Sequence, residues 1–139
     1  MKIEKGVSDD QYCFACGREN PYGLHMEVTY PGETAETHLT LPREFQGWNG
    51  VAHGGIIATL LDEIMAHVVI HHIGEAATAS LTIRYRDPLP IGVPFQVRGW
   101  ISEKKSRLVK TVSELRLLTE DQKLIATGES KFLLLPGNP

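Results

Sequence analysis

Between His53 and His72 the chain adopts a helical hydrophobic rhythm. Ile56, Ile57, Leu60, Leu61, Ile64, Met65, Val68 and Val69 recur at steps of three and four, the spacing of one face of an α-helix. The pattern predicts a helix of about 20 residues, ~30 Å long at 1.5 Å per residue. Its apolar positions cover much of the circumference, so it is expected to be enclosed by other structure. After Gly74 the period becomes two. Ala79, Leu81, Ile83 and Tyr85 alternate with Thr78, Ser80, Thr82, Arg84 and Arg86 up to Pro88 and Pro90, which predicts a half-buried strand ending there. Residues 95–102, 108–117 and 123–135 predict three more strands, joined through Glu103-Lys104-Lys105-Ser106 and Thr119-Glu120-Asp121-Gln122, connections short enough for an antiparallel meander. Upstream, residues 24–29 and 35–40 predict a hairpin about Tyr30-Pro31-Gly32-Glu33, followed by a loop over 41–52. The expected class is α+β in one domain over residues 1–139: a long central helix with an antiparallel sheet of five or six strands. A loop segment over 1–23 and a frayed tail over 136–139 complete it.

Composition narrows the function classes. The 139 residues are the size of one ordinary domain, large enough for a core without metal or disulfide staples. Lys and Arg number 14 against 17 Asp and Glu, and neither sign forms a long run, which argues against nucleic acid as a partner. The stretch from Met1 to Asp10 is polar and lacks the apolar region of a secretory signal, and nowhere do 18 apolar residues follow one another. The expectation is a cytoplasmic protein with no membrane partner. Cys13 and Cys16 form a C-x-x-C, but the second pair that a four-cysteine zinc site needs is missing. A thioredoxin-like role would want the pair at a helix N-terminus in a βαβ unit, whereas Glu19-Asn20-Pro21-Tyr22-Gly23 follows with loop composition. Two reduced thiols ordering a loop are expected, with no metal and no cofactor. His67, His71 and His72 lack a nearby acidic third ligand in sequence and are not read as a metal site.

The candidate chemistry starts at Asp62, a lone Asp on the apolar helix. A carboxylate in such a place is paired, neutralised or used. Glu63, rotated ~100° from it, is expected to face solvent or a subunit contact. His53-Gly54-Gly55 opens the helix, where free N–H groups carry the positive end of the dipole and glycine lets a ligand approach the backbone. Asp62 lies eight residues beyond Gly54, ~12 Å along one helix, too far for both to contact the same small group of a ligand. A catalytic reading therefore needs Gly54 of one subunit and Asp62 of another. Structural readings stand beside each assignment: His53 ordering the helix entrance, Gly54 and Gly55 permitting helix–strand packing, Asp62 a satisfied carboxylate, Thr78 an ordinary strand residue, and Lys104-Lys105-Arg107 a solvated tip.

The segments Cys13-Phe14-Ala15-Cys16-Gly17, Asn20-Pro21-Tyr22-Gly23-Leu24 and Phe45-Gln46-Gly47-Trp48-Asn49-Gly50-Val51-Ala52-His53-Gly54-Gly55, followed by Leu61-Asp62-Glu63, resemble the hotdog-fold acyl-CoA thioesterases, in particular the phenylacetate-pathway (PaaI-like) branch. The resemblance runs over almost the whole chain. It implies a sheet wrapped around the helix, a homodimer often paired into a homotetramer, and hydrolysis of an acyl-CoA to free acid and CoA. It implies Asp62 as general base or nucleophile, the Gly54 N–H as the group polarising the carbonyl, Thr78 as an aid to the attacking water, and His53 beside them. Some members carry Asn where this chain has Gly47, and Gln46 or Asn49 would stand in. Asn49, Gly55, Tyr85, Lys104, Lys105 and Arg107 are the implied substrate-binding residues, the basic loop and Tyr85 near CoA. Two other classes remain open: a hotdog module that binds acyl-CoA without hydrolysing it, and a redox or metal protein built on Cys13 and Cys16.

Overall fold

The computed structural model describes residues 10–136; the expectations about the first nine residues and the last three of the frayed tail lie outside them. Five strands and one long helix follow one another as β1 (Thr34–Leu39), a 3-10 turn (Arg43–Phe45), α1 (Gly54–His72), β2 (Ala76–Tyr85), β3 (Phe95–Lys105), β4 (Leu108–Leu117) and β5 (Leu124–Leu134). All neighbours pair antiparallel in the order β1-β3-β4-β5-β2. The helix touches every strand, so the sheet wraps it as in the expected hotdog fold. Its buried positions are Ile57, Leu60, Leu61, Ile64, Met65, Val68 and Val69, a single stripe at steps of three and four. By length and mean hydropathy α1 could cross a membrane, yet this stripe is taken up by the sheet.

Two glycines let the helix lie close. A Cβ on Gly99 of β3 would stand 3.2 Å from Ile64 Cγ2, and one on Gly128 of β5 would stand 2.6 Å from Ser113 Oγ and 3.3 Å from Leu61 Cβ. Opposite them, β4 alternates strictly, with Val109, Thr111, Ser113, Leu115 and Leu117 buried. That is the period-two signature of a strand with one face on a core.

Three expectations need correction. Residues 24–29 form no strand. His25 takes a left-handed φ of 54°, and the N–H groups of Leu24 and Met26 bond to Phe14 O and Ala15 O, so the segment docks on the C-x-x-C loop and only Thr29 bridges to Glu36. The basic turn is shorter than expected, since β3 runs on through Lys105 and only Ser106 and Arg107 separate it from β4. Nor is β2 half-buried. Eight of its ten positions are exposed, Leu81 and Tyr85 among them, because β2 is an edge strand paired with β5 alone.

Candidate active site

His53 is the N-cap of α1, in extended backbone conformation, and its Nδ1 accepts the Gly55 N–H at 2.9 Å. A ring nitrogen that accepts carries no proton, so in the neutral ring the proton sits on Nε2. The same residue's carbonyl takes the N–H groups of Ile56 and Ile57. With the His53 N–H bonded to Phe45 O at 3.0 Å, three of the four donors left over at the helix start, those of His53, Gly55 and Ile56, are satisfied. The fourth, the Gly54 N–H, has no acceptor among the described residues. Gly54 O accepts from Tyr85 Oη at 2.8 Å, which seats the exposed Tyr85 ring beside the helix start. A Cβ on Gly54 would meet that ring at 3.5 to 3.6 Å, and one on Gly55 only the His53 ring. Helix–strand packing therefore does not demand these two glycines, in contrast to Gly99 and Gly128.

Two turns along the helix, Asp62 is half-buried and accepts a hydrogen bond on Oδ1 from Thr78 Oγ1 at 3.2 Å. Burial raises the pKa of the Asp62 carboxyl, the Thr78 bond opposes that, and the neighbouring Glu63 charge adds to the rise. The register between β2 and β5 slips after Thr78, leaving Ala79 as an extra residue. Such a bulge bends the strand and re-aims the adjacent side chain.

The remaining expected residues spread outward. Across the sheet Thr78 pairs with Phe132, Phe132 with Val109, and Val109 with Lys104. Directly paired residues point to one face, so Lys104 shares the helix-facing side of the sheet with Thr78. It lies three strand spacings away, ~14 Å. Lys105 pairs with Leu108 on the opposite face. Arg107 is engaged already, donating from Nε and Nη2 to Leu134 O at 3.2 and 2.6 Å. Asn49 sits in the exposed turn before α1, while Gln46 accepts the Gly50 N–H at 3.0 Å. A Cβ on Gly47 would stand 3.0 Å from His53 Cα, which crowds any larger residue there. An apolar cleft of about 930 Å³ opens beside the helix start, lined among others by Phe14, Phe45, Gln46, His53, Gly55 and Ile56. Asp62 and Thr78 do not line it.

The structure also assembles a group that sequence order hides. Glu63 does not face solvent. Its side chain is 17 % exposed, and its Oε2 lies 3.1 Å from His67 Nε2 and 3.9 Å from Cys13 Sγ. The His67 Nδ1 meets Tyr30 Oη at 2.9 Å. Burial and then the Glu63 carboxylate push the Cys16 thiol far above its ordinary range. The visible signal was Glu63 and His67 four apart on one helix face, though nothing in the sequence told which loop would cover it.

Comparison with known proteins bears on the family and the fold. A family model described as Thioesterase superfamily matches residues 49–126, the segment from the turn before α1 into β5. The acyl-coenzyme A thioesterase THEM4 of Xenopus laevis is 29% identical over 89 residues, covering 64% of this chain and 39% of that protein. The crystal structure of a thioesterase superfamily protein superposes with a TM-score of 0.82 at 26% identity, over 88% of this chain and 60% of the other. A variant of the phenylacetic acid degradation protein PaaI from Thermus thermophilus gives a TM-score of 0.73 at 22% identity, over 81% and 95% of the two chains. This chain thus spans well under half the length of the curated relative it matches.

Proposed function

We propose, since the chain belongs to the thioesterase superfamily, that it hydrolyses acyl-CoA thioesters to free acid and CoA. The observation that carries this reading is the Asp62–Thr78 pair at the unpaired edge of β2. Thr78 donates its hydroxyl hydrogen bond to the Asp62 carboxylate, so its oxygen keeps lone pairs for a water that also meets the carboxylate. Asp62 takes a proton from that water as its oxygen attacks the thioester carbon. The C–S bond then breaks, and the proton passes to the departing thiolate. A raised pKa suits this work, since a base acts best when its pKa approaches the operating pH. The open Gly54 N–H supplies the donor for the carbonyl oxygen that becomes negative.

Gly54 and Asp62 are ~12 Å apart along α1, so each site takes one from each of two subunits. The long exposed edge of β2 supports such a pairing, because an unpaired edge strand invites another strand. Antiparallel pairing of two β2 edges about a two-fold axis between Leu81 and Thr82 would set Tyr85 of the partner subunit opposite Thr78. Tyr85 bonds to Gly54 within its own chain, so Gly54 of the partner subunit would come alongside Asp62. Lys104 stands on the face of the sheet that suits a CoA phosphate, and the site needs no cofactor.

The test is thiol release from short, medium, long and aromatic acyl-CoAs. Turnover on at least one class is expected. Tight binding of acyl-CoA without thiol release on any of them would instead make the protein a binding module.

A further inference from the structure

Neither half of the proposed catalytic site uses the C-x-x-C loop, yet its geometry is specific. Cys13 Sγ accepts the N–H groups of Ala15 at 3.3 Å and Cys16 at 3.5 Å, which fix the position of the sulfur in the turn. Gly17 N–H closes the turn on Cys13 O at 2.9 Å, and a Cβ at Gly17 would stand 2.3 Å from Cys13 N. Only glycine fits there. Both cysteines are free and partly buried.

From α1, Glu63 reaches into this turn. Its carboxylate and the two sulfur atoms all lie within 4.8 Å of one another, with 3.9 Å from Oε2 to Cys13 Sγ. A tetrahedral ion with sulfur at about 2.3 Å and oxygen at about 2.1 Å holds neighbouring donor atoms about 3.5 to 3.8 Å apart. The 3.9 Å between Glu63 Oε2 and Cys13 Sγ is close to that spacing, and the remaining pairs lie within 4.8 Å. Behind the carboxylate, His67 Nε2 lies 3.1 Å from Glu63 Oε2, Tyr30 Oη lies 2.9 Å from His67 Nδ1, and the Tyr30 ring stacks on His71 at 3.7 Å. A ligand braced by a hydrogen-bonded outer partner is the usual construction of a metal centre.

We propose that Cys13, Cys16 and Glu63 bind one divalent cation of the zinc class, which fastens the N-terminal loop to α1, with His67 orienting the carboxylate. Two thiolates with one carboxylate select a borderline-soft ion such as zinc over magnesium or calcium. Cys16 and His67 also line an open groove of about 630 Å³, through which the ion reaches the site and water fills the fourth position. A complete site was not visible along the chain because its third ligand lies 47 residues beyond Cys16.

The test uses the full chain, freed of any affinity tag, with its thiols kept reduced. Elemental analysis is expected to give one zinc per chain. Metal-stripped protein titrated with cobalt is expected to develop a thiolate-to-cobalt charge-transfer band in the near ultraviolet. Cys13→Ser with Cys16→Ser should abolish that band. Glu63→Gln, nearly isosteric, should keep the circular dichroism of the fold and weaken cobalt binding, and His67→Gln should weaken it by ~10–100-fold as expected for an outer partner. Should the double serine variant fail to fold, zinc protection of Cys13 and Cys16 against alkylation in the wild-type chain decides the matter. No uptake by the reduced wild-type chain, uptake without the charge-transfer band, or a Glu63→Gln affinity equal to wild type would each overturn the proposal.

Discussion

Thr78 Oγ1 donates to Asp62 Oδ1 at 3.2 Å, tying the bulged edge strand β2 to the middle of α1. A hydroxyl that donates a hydrogen bond to a carboxylate keeps its own oxygen as an acceptor, which is what a water-positioning group needs. The two substitutions separate accordingly. Asp62→Asn keeps the shape and a hydrogen-bond acceptor for Thr78 but removes the base, so kcat should fall by at least ~10²-fold in a folded protein. Thr78→Val should cost about 1 kcal/mol of transition-state stabilisation, roughly five- to tenfold in kcat/KM. Near-wild-type turnover by Asp62→Asn would reject the base.

Gly54 and Gly128 should respond oppositely to the same methyl group. At Gly54 a Cβ meets the Tyr85 ring at 3.5 Å or more, an ordinary contact, so Gly54→Ala should fold with unchanged thermal stability. Its activity should nevertheless drop by at least ~10-fold, because the methyl crowds the approach to the N–H. At Gly128 a Cβ would stand 2.6 Å from Ser113 Oγ, so Gly128→Ala should lose about 1–3 kcal/mol in denaturant unfolding. If Gly54→Ala were destabilised as much as Gly128→Ala, the glycine at the helix start would be a packing residue after all.

What could be read along the chain was whatever repeats locally. The stripe from Ile57 to Val69 gave the helix, and the alternation of β4 gave a strand with one buried face. Asp62 stood out because a charge interrupts an apolar pattern. Hidden were the features set by backbone twist or by distant docking. The left-handed turn at His25 and the bulge after Thr78 leave no periodic trace. Glu63 reads as facing solvent or a subunit contact because the covering loop, Cys13 to Gly17, lies about fifty residues upstream. The exposed apolar side chains of β2 read as a buried strand face, since alternation shows that a surface is to be covered and not whether the cover comes from the same chain.

The basic residues at the β3–β4 tip should divide by face, with Lys104 Nζ exchanging its present bond to Ser106 O at 3.1 Å for a phosphate. Lys104 shares the side of the sheet that carries Thr78, whereas Lys105 points the other way. Lys104→Ala should raise KM for an acyl-CoA more than for a truncated acyl-pantetheine, with kcat little changed, as for lost uniform binding. Lys105→Ala should leave both KM values alone. Arg107→Ala should act on stability instead, because its guanidinium holds Leu134 O; the loss expected is about 1–2 kcal/mol. Equal KM effects from the two lysines on both substrates would mean that the tip does not meet CoA.

The shared site predicts that two inactive variants rescue each other. Gly54 is the first residue of α1, the position where proline is best tolerated because its missing N–H makes no intrahelical bond. His53 before it already has extended backbone at φ −63° and ψ 135°, the conformation a following proline prefers. Gly54→Pro therefore deletes the proposed oxyanion donor with little disturbance to the helix, and Asp62→Asn deletes the base. Each homodimer then lacks one half of both sites. In a heterodimer of the two variants, one interface unites the intact Gly54 of one subunit with the intact Asp62 of the other, while the second interface carries both lesions. Co-expression with two different tags, followed by tandem purification, should yield heterodimers with up to half the wild-type turnover per dimer. The parents should remain at least ~10²-fold below wild type. Heterodimers that fold and assemble but stay as inactive as their parents would show that Asp62 works with its own chain's donors, and the two-subunit site would have to be abandoned.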